Sequence, residues 1–174
     1  MKIFLTGKPG IGKTTVVKKI VSLLKDKAIG FWTEEFRDIE NNKRLGFKVI
    51  TTEGKTTTLT SKSLNSPFRV GSYGVNIGEF EEIVIPLLEN AIKQKDKIII
   101  IDEIGKMELF SEKFIDLVKK IVLDEHYRVI ATIPIKDVHP LVASIRKLEG
   151  NLIEITEEDR DNISNYIYSL LVKT

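Results

Sequence analysis

The sequence predicts an α/β fold built on a mostly parallel sheet, with helices on both faces and an antiparallel β-ribbon added at one edge. Three observations carry that expectation. A glycine-rich stretch, Gly7-Lys8-Pro9-Gly10-Ile11-Gly12-Lys13-Thr14, lies between a short apolar run and a segment of helical spacing, the strand–turn–helix context of a phosphate-binding loop. Four consecutive isoleucines, Ile98–Ile101, are bounded by charge, as in a central parallel strand covered on both faces. Through the second half, apolar runs of strand length alternate with stretches of helical period, the pattern of a parallel sheet wrapped by helices.

Taken in order, residues 2–5 read as a buried strand, and about 14–25 as an amphipathic helix turning Lys18, Lys19 and Lys25 outward. Residues 28–35, apolar and aromatic, suit a second strand. Glu40-Asn41-Asn42-Lys43 signals a turn, and 46–50 alternates as a half-exposed strand does. Glu53-Gly54 marks another turn before a β-prone run at 56–60; these strands make the ribbon. Residues 61–78, with serine, glycine and few apolar side chains, read as a long loop, which inside a compact domain is usually functional or mobile. Helical spacing begins at Glu79, and Pro86 within it is expected to kink or split the helix. After the isoleucine strand come a helix at about 112–123, a strand at 127–133 ending at Pro134, and a short helix from near Pro140. A strand at 151–155 and a last helix to about Val172 complete the chain. Thr156 is expected to cap that helix, with Glu157, Glu158 and Asp159 in its first turn.

At 174 residues the chain has the size of one domain, spanning residues 1–174, and can bury a full core. No repeat, low-complexity tract or linker divides it. Hydrophobic and charged fractions of 42% and 30% are those of a soluble globular protein. A net charge of +2 is too small to indicate nucleic acid or membrane as partner. Without cysteine there is neither disulfide nor thiolate metal site, and a cytoplasmic location fits. No signal peptide precedes the glycine-rich loop, and no apolar run is long enough to span a bilayer. A monomer is expected.

The loop announces chemistry. Glycine at 7, 10 and 12 clears the approach of backbone N–H groups to phosphate oxygens, with Lys8, Pro9 and Ile11 completing the cradle. Lys13 can reach the β- and γ-phosphates, and the Thr14 hydroxyl can ligate Mg²⁺. The helix entered through Thr15 aims its positive end at the anion. Nucleoside triphosphate with Mg²⁺ as cofactor is the expected ligand.

Open parallel sheets bind ligands at the carboxyl ends of their strands, where Asp102 and Glu103 follow the isoleucines. Asp102 is expected to orient Mg²⁺, directly or through its water. Glu103, with its longer arm, is expected to hold and polarise the attacking water as base. Lys13 needs a further cation to offset charge in the transition state. Lys106 stands first among the candidates, beside Lys8, Arg146 and Arg160. Thr132 ends a neighbouring strand, where its hydroxyl either contacts the γ-phosphate or the water, or is simply β-prone. A base gripped only by stacking, by Arg160 or Tyr73, would be discriminated weakly. The chain also lacks the Asn-Lys-x-Asp string that reads guanine. Phe31 and Trp32 suit core or ribbon packing, and His126 and His139 lack metal-ligand spacing.

Asp102-Glu103-Ile104-Gly105-Lys106-Met107-Glu108-Leu109, followed by Ser111 and Phe114, resembles the signature of a small family of nucleoside-triphosphatases first recognised in thermophiles. Similar strings run nearly end to end: Gly30 to Arg37, Arg44 to Phe47, Val70 to Val75, and Ala131 to Pro134. The resemblance implies a three-layer P-loop NTPase fold of the RecA-like group. It also implies Mg²⁺-dependent hydrolysis of ATP, GTP, CTP, UTP and TTP, with weaker action on diphosphates. Carried over by residue, Gly7 to Thr14 would hold the triphosphate. Ile98, Ile99, Ile100, Ile101, Asp102, Glu103, Ile104 and Gly105 would form the second nucleotide-contacting segment. The family's Asn-Arg-Asp near the start of its last helix reads Asp159-Arg160-Asp161 here, which puts base preference in question.

Two other classes stay open. A phosphotransferase could seat its acceptor against the ribbon and loop between residues 34 and 78, although the six arginines form no lid-like cluster. A nucleotide-switched module for RNA or DNA is the other, and the near-neutral charge argues against it.

Overall fold

The computed structural model describes residues 1–148 and 150–173. β1 (Lys2–Thr6) runs through the phosphate loop into α1 (Lys13–Leu24), and β2 (Ala28–Arg37) opens a meander through β3 (Arg44–Thr51) and β4 (Thr56–Ser61). A small hairpin, β5 (Arg69–Val70) and β6 (Tyr73–Val75), leads into α2 (Ile77–Ala91). Then follow β7 (Ile98–Ile101), α3 (Glu112–Leu123), β8 (Arg128–Thr132), α4 (Pro140–Arg146), β9 (Asn151–Glu154) and α5 (Ile163–Val172).

All nine strands join one sheet in the order β5-β6-β4-β3-β2-β7-β8-β1-β9. From β2 to β9 every pairing is parallel, and from β2 outward through β3, β4, β6 and β5 every pairing is antiparallel. The fold is therefore the expected α/β sheet, with the ribbon growing from β2. The isoleucines of β7 alternate between its two faces. Ile99 and Ile101 join a core with α2, α3 and α4, whereas Ile98 and Ile100 join one with α1 and α5. Phe31, Phe80 and Phe114 meet edge to face in the first core, with ring centroids 5.3, 5.9 and 6.0 Å apart.

Three local expectations need correction. Helix α2 runs unbroken through Pro86, which rules out the split that stood as the alternative to a kink. Pro86 and Glu82, whose carbonyl loses its partner, both face solvent, so water can satisfy the orphaned oxygen. The long loop at 61–78 carries β5 and β6, because Val75 N–H donates to Phe68 O at 2.8 Å and the segment pairs with β4. The last helix begins at Ile163, later than Thr156. Residues 157–162 have no apolar side chain to bury, and they turn instead, with Asp159 Oδ1 accepting from Thr156 N–H at 2.9 Å.

Candidate active site

The parallel strands deliver their carboxyl ends to one edge. There Ile133 N–H donates to Leu5 O, Ile155 N–H to Thr6 O and Ile104 N–H to Thr132 O at 2.8–2.9 Å, which ties the post-strand segments to their neighbours. β1 leaves this edge as the phosphate loop, where Ile11 N–H closes a turn onto Lys8 O at 3.0 Å. Gly10 and Gly12 take φ of 80° and 110°, which suit glycine, and Gly12 caps α1 in that conformation. Helix α1 then presents its free N–H groups to the space above the loop.

Two contacts join the loop to β7. Thr14 Oγ1 donates to Asp102 Oδ2 at 2.8 Å, and Lys13 Nζ lies 3.2 Å from Glu103 Oε2. From β8, Thr132 Oγ1 donates to Asp102 Oδ1 at 2.5 Å. Thr132 thus has a definite job, holding Asp102, and its proton is committed to that carboxylate. Asp102 is 1% exposed and has hydroxyls as its side-chain partners. Burial pushes its carboxyl up to about 6, against the Thr132 and Thr14 hydrogen bonds; the Glu103 charge adds to the rise and the Thr33 backbone N–H opposes it.

A second buried carboxyl stands beside this pair. Glu108, in the 3-10 turn Glu108–Phe110 after β7, is 4% exposed. Burial holds it well above the usual carboxylate range, and the Glu103 and Asp102 charges push the same way. The string containing it was legible as a motif, but nothing in spacing or hydropathy marked Glu108 as an interior residue.

The remaining expected residues divide. Arg160 lies across the phosphate loop, with Nη1 3.5 Å from Ile11 O and its Cδ over Gly12. Lys8, Pro9, Gly10 and Thr15 are exposed on the loop and first helical turn, and Lys106 is exposed just beyond Gly105. Ile98, Ile99, Ile100 and Ile101 are at most 1% exposed. Their side chains serve the two cores and offer no surface to a nucleotide; only the end of their strand reaches the site. Ile104 is likewise fully buried, and Gly105 is buried against the carboxyls of Glu103 and Glu108.

Arg146 is tied to Asp137 Oδ1 at 2.9 Å and to Pro134 O at 2.5 Å, so it is held within its own loop. Tyr73 sits in the ribbon, 8% exposed, packed on Phe47 and accepting from Arg44 Nε at 2.8 Å. It belongs to that packing and provides no stacking platform at the loop. Trp32 packs on the α1-side core, and its Nε1 donates to Glu34, which pairs with Lys18 at 2.6 Å. His139 caps α4 by accepting from Leu141 N–H, and His126 is exposed.

A glycine-rich loop at the end of one parallel strand, answered by a hydroxyl-bonded aspartate and a glutamate at the end of another, defines a P-loop nucleoside-triphosphate-binding protein. Comparison with known proteins narrows that class. A family described as NTPase matches residues 2–168. Nucleoside-triphosphatase THEP1 of Aquifex aeolicus is 60% identical, with 98% of this chain and 99% of the relative covered. The crystal structure of THEP1 from that hyperthermophile superposes with a TM-score of 0.91 at 57% identity, covering 98% and 99% of the two chains. The solution structure of a human cancer-related nucleoside triphosphatase gives 0.80 at 34%, covering 99% and 98%. The chain belongs to this nucleoside-triphosphatase family.

Proposed function

We propose that the protein hydrolyses ATP, GTP, CTP, UTP and TTP to the diphosphate and phosphate, with Mg²⁺ and with weak discrimination among bases, and that it acts more weakly on diphosphates. The observation that carries this reading is the pairing of Lys13 with Glu103 and of Thr14 with Asp102 at 3.2 and 2.8 Å. Phosphate, metal and water-handling groups are thereby gathered in one place.

Gly7 to Thr15 wrap the triphosphate with backbone N–H groups, and Lys13 exchanges Glu103 for phosphate oxygens when the ligand arrives. Glu103, released from Lys13, accepts a proton from the water attacking the γ-phosphorus as the bond to the bridging oxygen breaks. Arg160, already over the loop, offsets developing charge or flanks the base, and Lys106, on the exposed turn beyond Gly105, is the further cation for that charge.

The side-by-side hydroxyl of Thr14 and carboxylate of Asp102 fit Mg²⁺, a hard ion usually held by one or two carboxylates plus phosphates and waters. Among the described residues no cluster of three acidic or imidazole side chains offers a dedicated cage, which that mode of binding does not require. Mg²⁺ would supply neutralisation of phosphate charge when bound. No helix among the described residues is long and apolar enough to cross a membrane. The cysteine-free composition fits the cytoplasm and the near-neutral charge fits work without nucleic acid, as a monomer.

The test is phosphate release from ATP, GTP, CTP and UTP with Mg²⁺, in wild type, Glu103→Gln and Lys13→Ala. Turnover of all four is expected in wild type. Glu103→Gln should keep binding and lose about 10²-fold or more in kcat, and Lys13→Ala should lose tight binding. Undiminished turnover in Glu103→Gln would remove that residue from the role of base. Transfer of labelled γ-phosphate to another molecule instead of water would favour the phosphotransferase.

A further inference from the structure

Among the described residues Glu108 is the one buried carboxyl that the hydrolytic scheme leaves unused, and it is costly to keep. An ionisable group shut from water without a cation destabilises a fold by several kcal/mol as an order of magnitude unless it stays neutral. A methionine or leucine would fill the same space without that cost. Its surroundings indicate what the carboxyl does. Gly105 separates Glu103 from Glu108, and a Cβ built there would lie 2.4 Å from Glu103 Oε1 and 3.1 Å from Glu108 Oε1. Both carboxyl groups therefore converge on the space beside Gly105, which only a residue without a side chain leaves open. Glu103 turns its other oxygen, Oε2, towards Lys13.

We propose that Glu108 is a positioning residue for Glu103, donating a hydrogen bond to Glu103 Oε1 across Gly105 and leaving Oε2 to face the reacting water. The inference rests on the reading of Glu103 as base. The supports of Glu108 are rigid. Its backbone is held by the turn in which Leu109 N–H donates to Gly105 O and Ser111 N–H to Glu108 O, at 3.0 and 3.1 Å. Its carboxyl is further held by the N–H groups of Gly105 and of Glu108 itself. When Lys13 turns to phosphate, Glu103 loses its cation partner, and the bond from Glu108 keeps the carboxylate in one rotamer. Neutral Glu108 is favoured by its burial and by the neighbouring Glu103 and Asp102 charges, which outweigh the opposite pull of the two N–H bonds. Alanine at 105 would move the Glu103 carboxyl from this place.

The experiment compares Glu108→Met, Glu108→Leu and Glu108→Gln in Mg²⁺-ATP hydrolysis, with melting temperature measured on each. Methionine keeps the volume and removes the donor; leucine repeats the test with a different shape. Both should melt at or above wild type, keep KM, and lose about tenfold to a hundredfold in kcat, the scale of losing a positioned group. Glutamine donates through its amide and should restore kcat to within a few-fold of wild type. In a Glu103→Gln background, Glu108→Met should cost nothing further, since both act through one group. Wild-type kcat in both apolar variants, or a glutamine variant as slow as methionine, overturns the proposal. If instead Glu103→Gln alone leaves turnover intact, the assignment of the base fails, and this inference fails with it for that distinct reason.

Discussion

A carboxyl group closed off from water has to find hydrogen bonds or give up its charge, and the site contains both solutions. Asp102 takes a hydroxyl on each oxygen, from Thr14 and Thr132, so a charge there is hydrogen-bonded on both sides. Glu108 accepts only from the N–H groups of Gly105 and of its own residue, and burial still holds its folded titration well above the ordinary carboxyl range, with Glu103 and Asp102 as the charges facing it. A group whose folded value is raised contributes stability below its unfolded value and loses it as pH rises through the folded one. Glu108→Gln does not ionise at this position. Its melting temperature should match wild type near about pH 4 and exceed it increasingly at higher pH; a constant offset across pH would discard this account. At this scale much of the site was legible, because the glycine-lysine loop and the Asp102-Glu103 pair are fixed by the chemistry of phosphate. The bond from Thr132 to Asp102 was neither of the two readings its place in the sequence offered, since its partner lies thirty positions away. Glu108 was hidden, as charge in a short turn normally means exposure.

Among the elements, α2 is the instructive case. Its apolar positions, Phe80, Val84, Leu87, Leu88 and Ala91, all reach the core, and that burial outweighs the break expected at Pro86. Proline still costs the helix a hydrogen bond, up to about 3 kcal/mol in a helix interior. Pro86→Ala should therefore stabilise the protein by about 1–3 kcal/mol, read as an increase in the denaturant midpoint with unchanged slope; a decrease would mean that Pro86 packs usefully. Helix α3 was fully legible because its stripe is strong and Ser111 caps it by accepting from Phe114 N–H at 3.1 Å. Helix α5 was misjudged because Thr156 and the acids after it imitate a cap. Without an apolar residue in 157–162, capping chemistry has nothing to start. The small β5–β6 hairpin was missed for the complementary reason: two- and three-residue strands are too short to show alternation.

For the molecule as a whole, the central fact is that one sheet serves two cores. β7 places Ile99 and Ile101 on one side and Ile98 and Ile100 on the other, so neither helical layer can separate without exposing the back of the same strand. Heat or denaturant should produce one transition, coincident by far-UV circular dichroism and by fluorescence. Two resolved transitions would show that the ribbon from β3 outward unfolds by itself. The parallel order and the edge ribbon were both readable from the run of isoleucines and the turn signals. The strand order was beyond reach, since it depends on which faces meet in space. The chain contains one tryptophan, and it stands next to Phe31, whose carbonyl receives the Asp102 N–H. That indole is bonded to Glu34, and through it to Lys18, one helical turn along α1 from Thr14. The tryptophan emission of the unlabelled chain therefore comes from one indole tied to the helix that leaves the phosphate loop, and a change in that emission on adding Mg²⁺-ATP is the expected optical readout of occupancy.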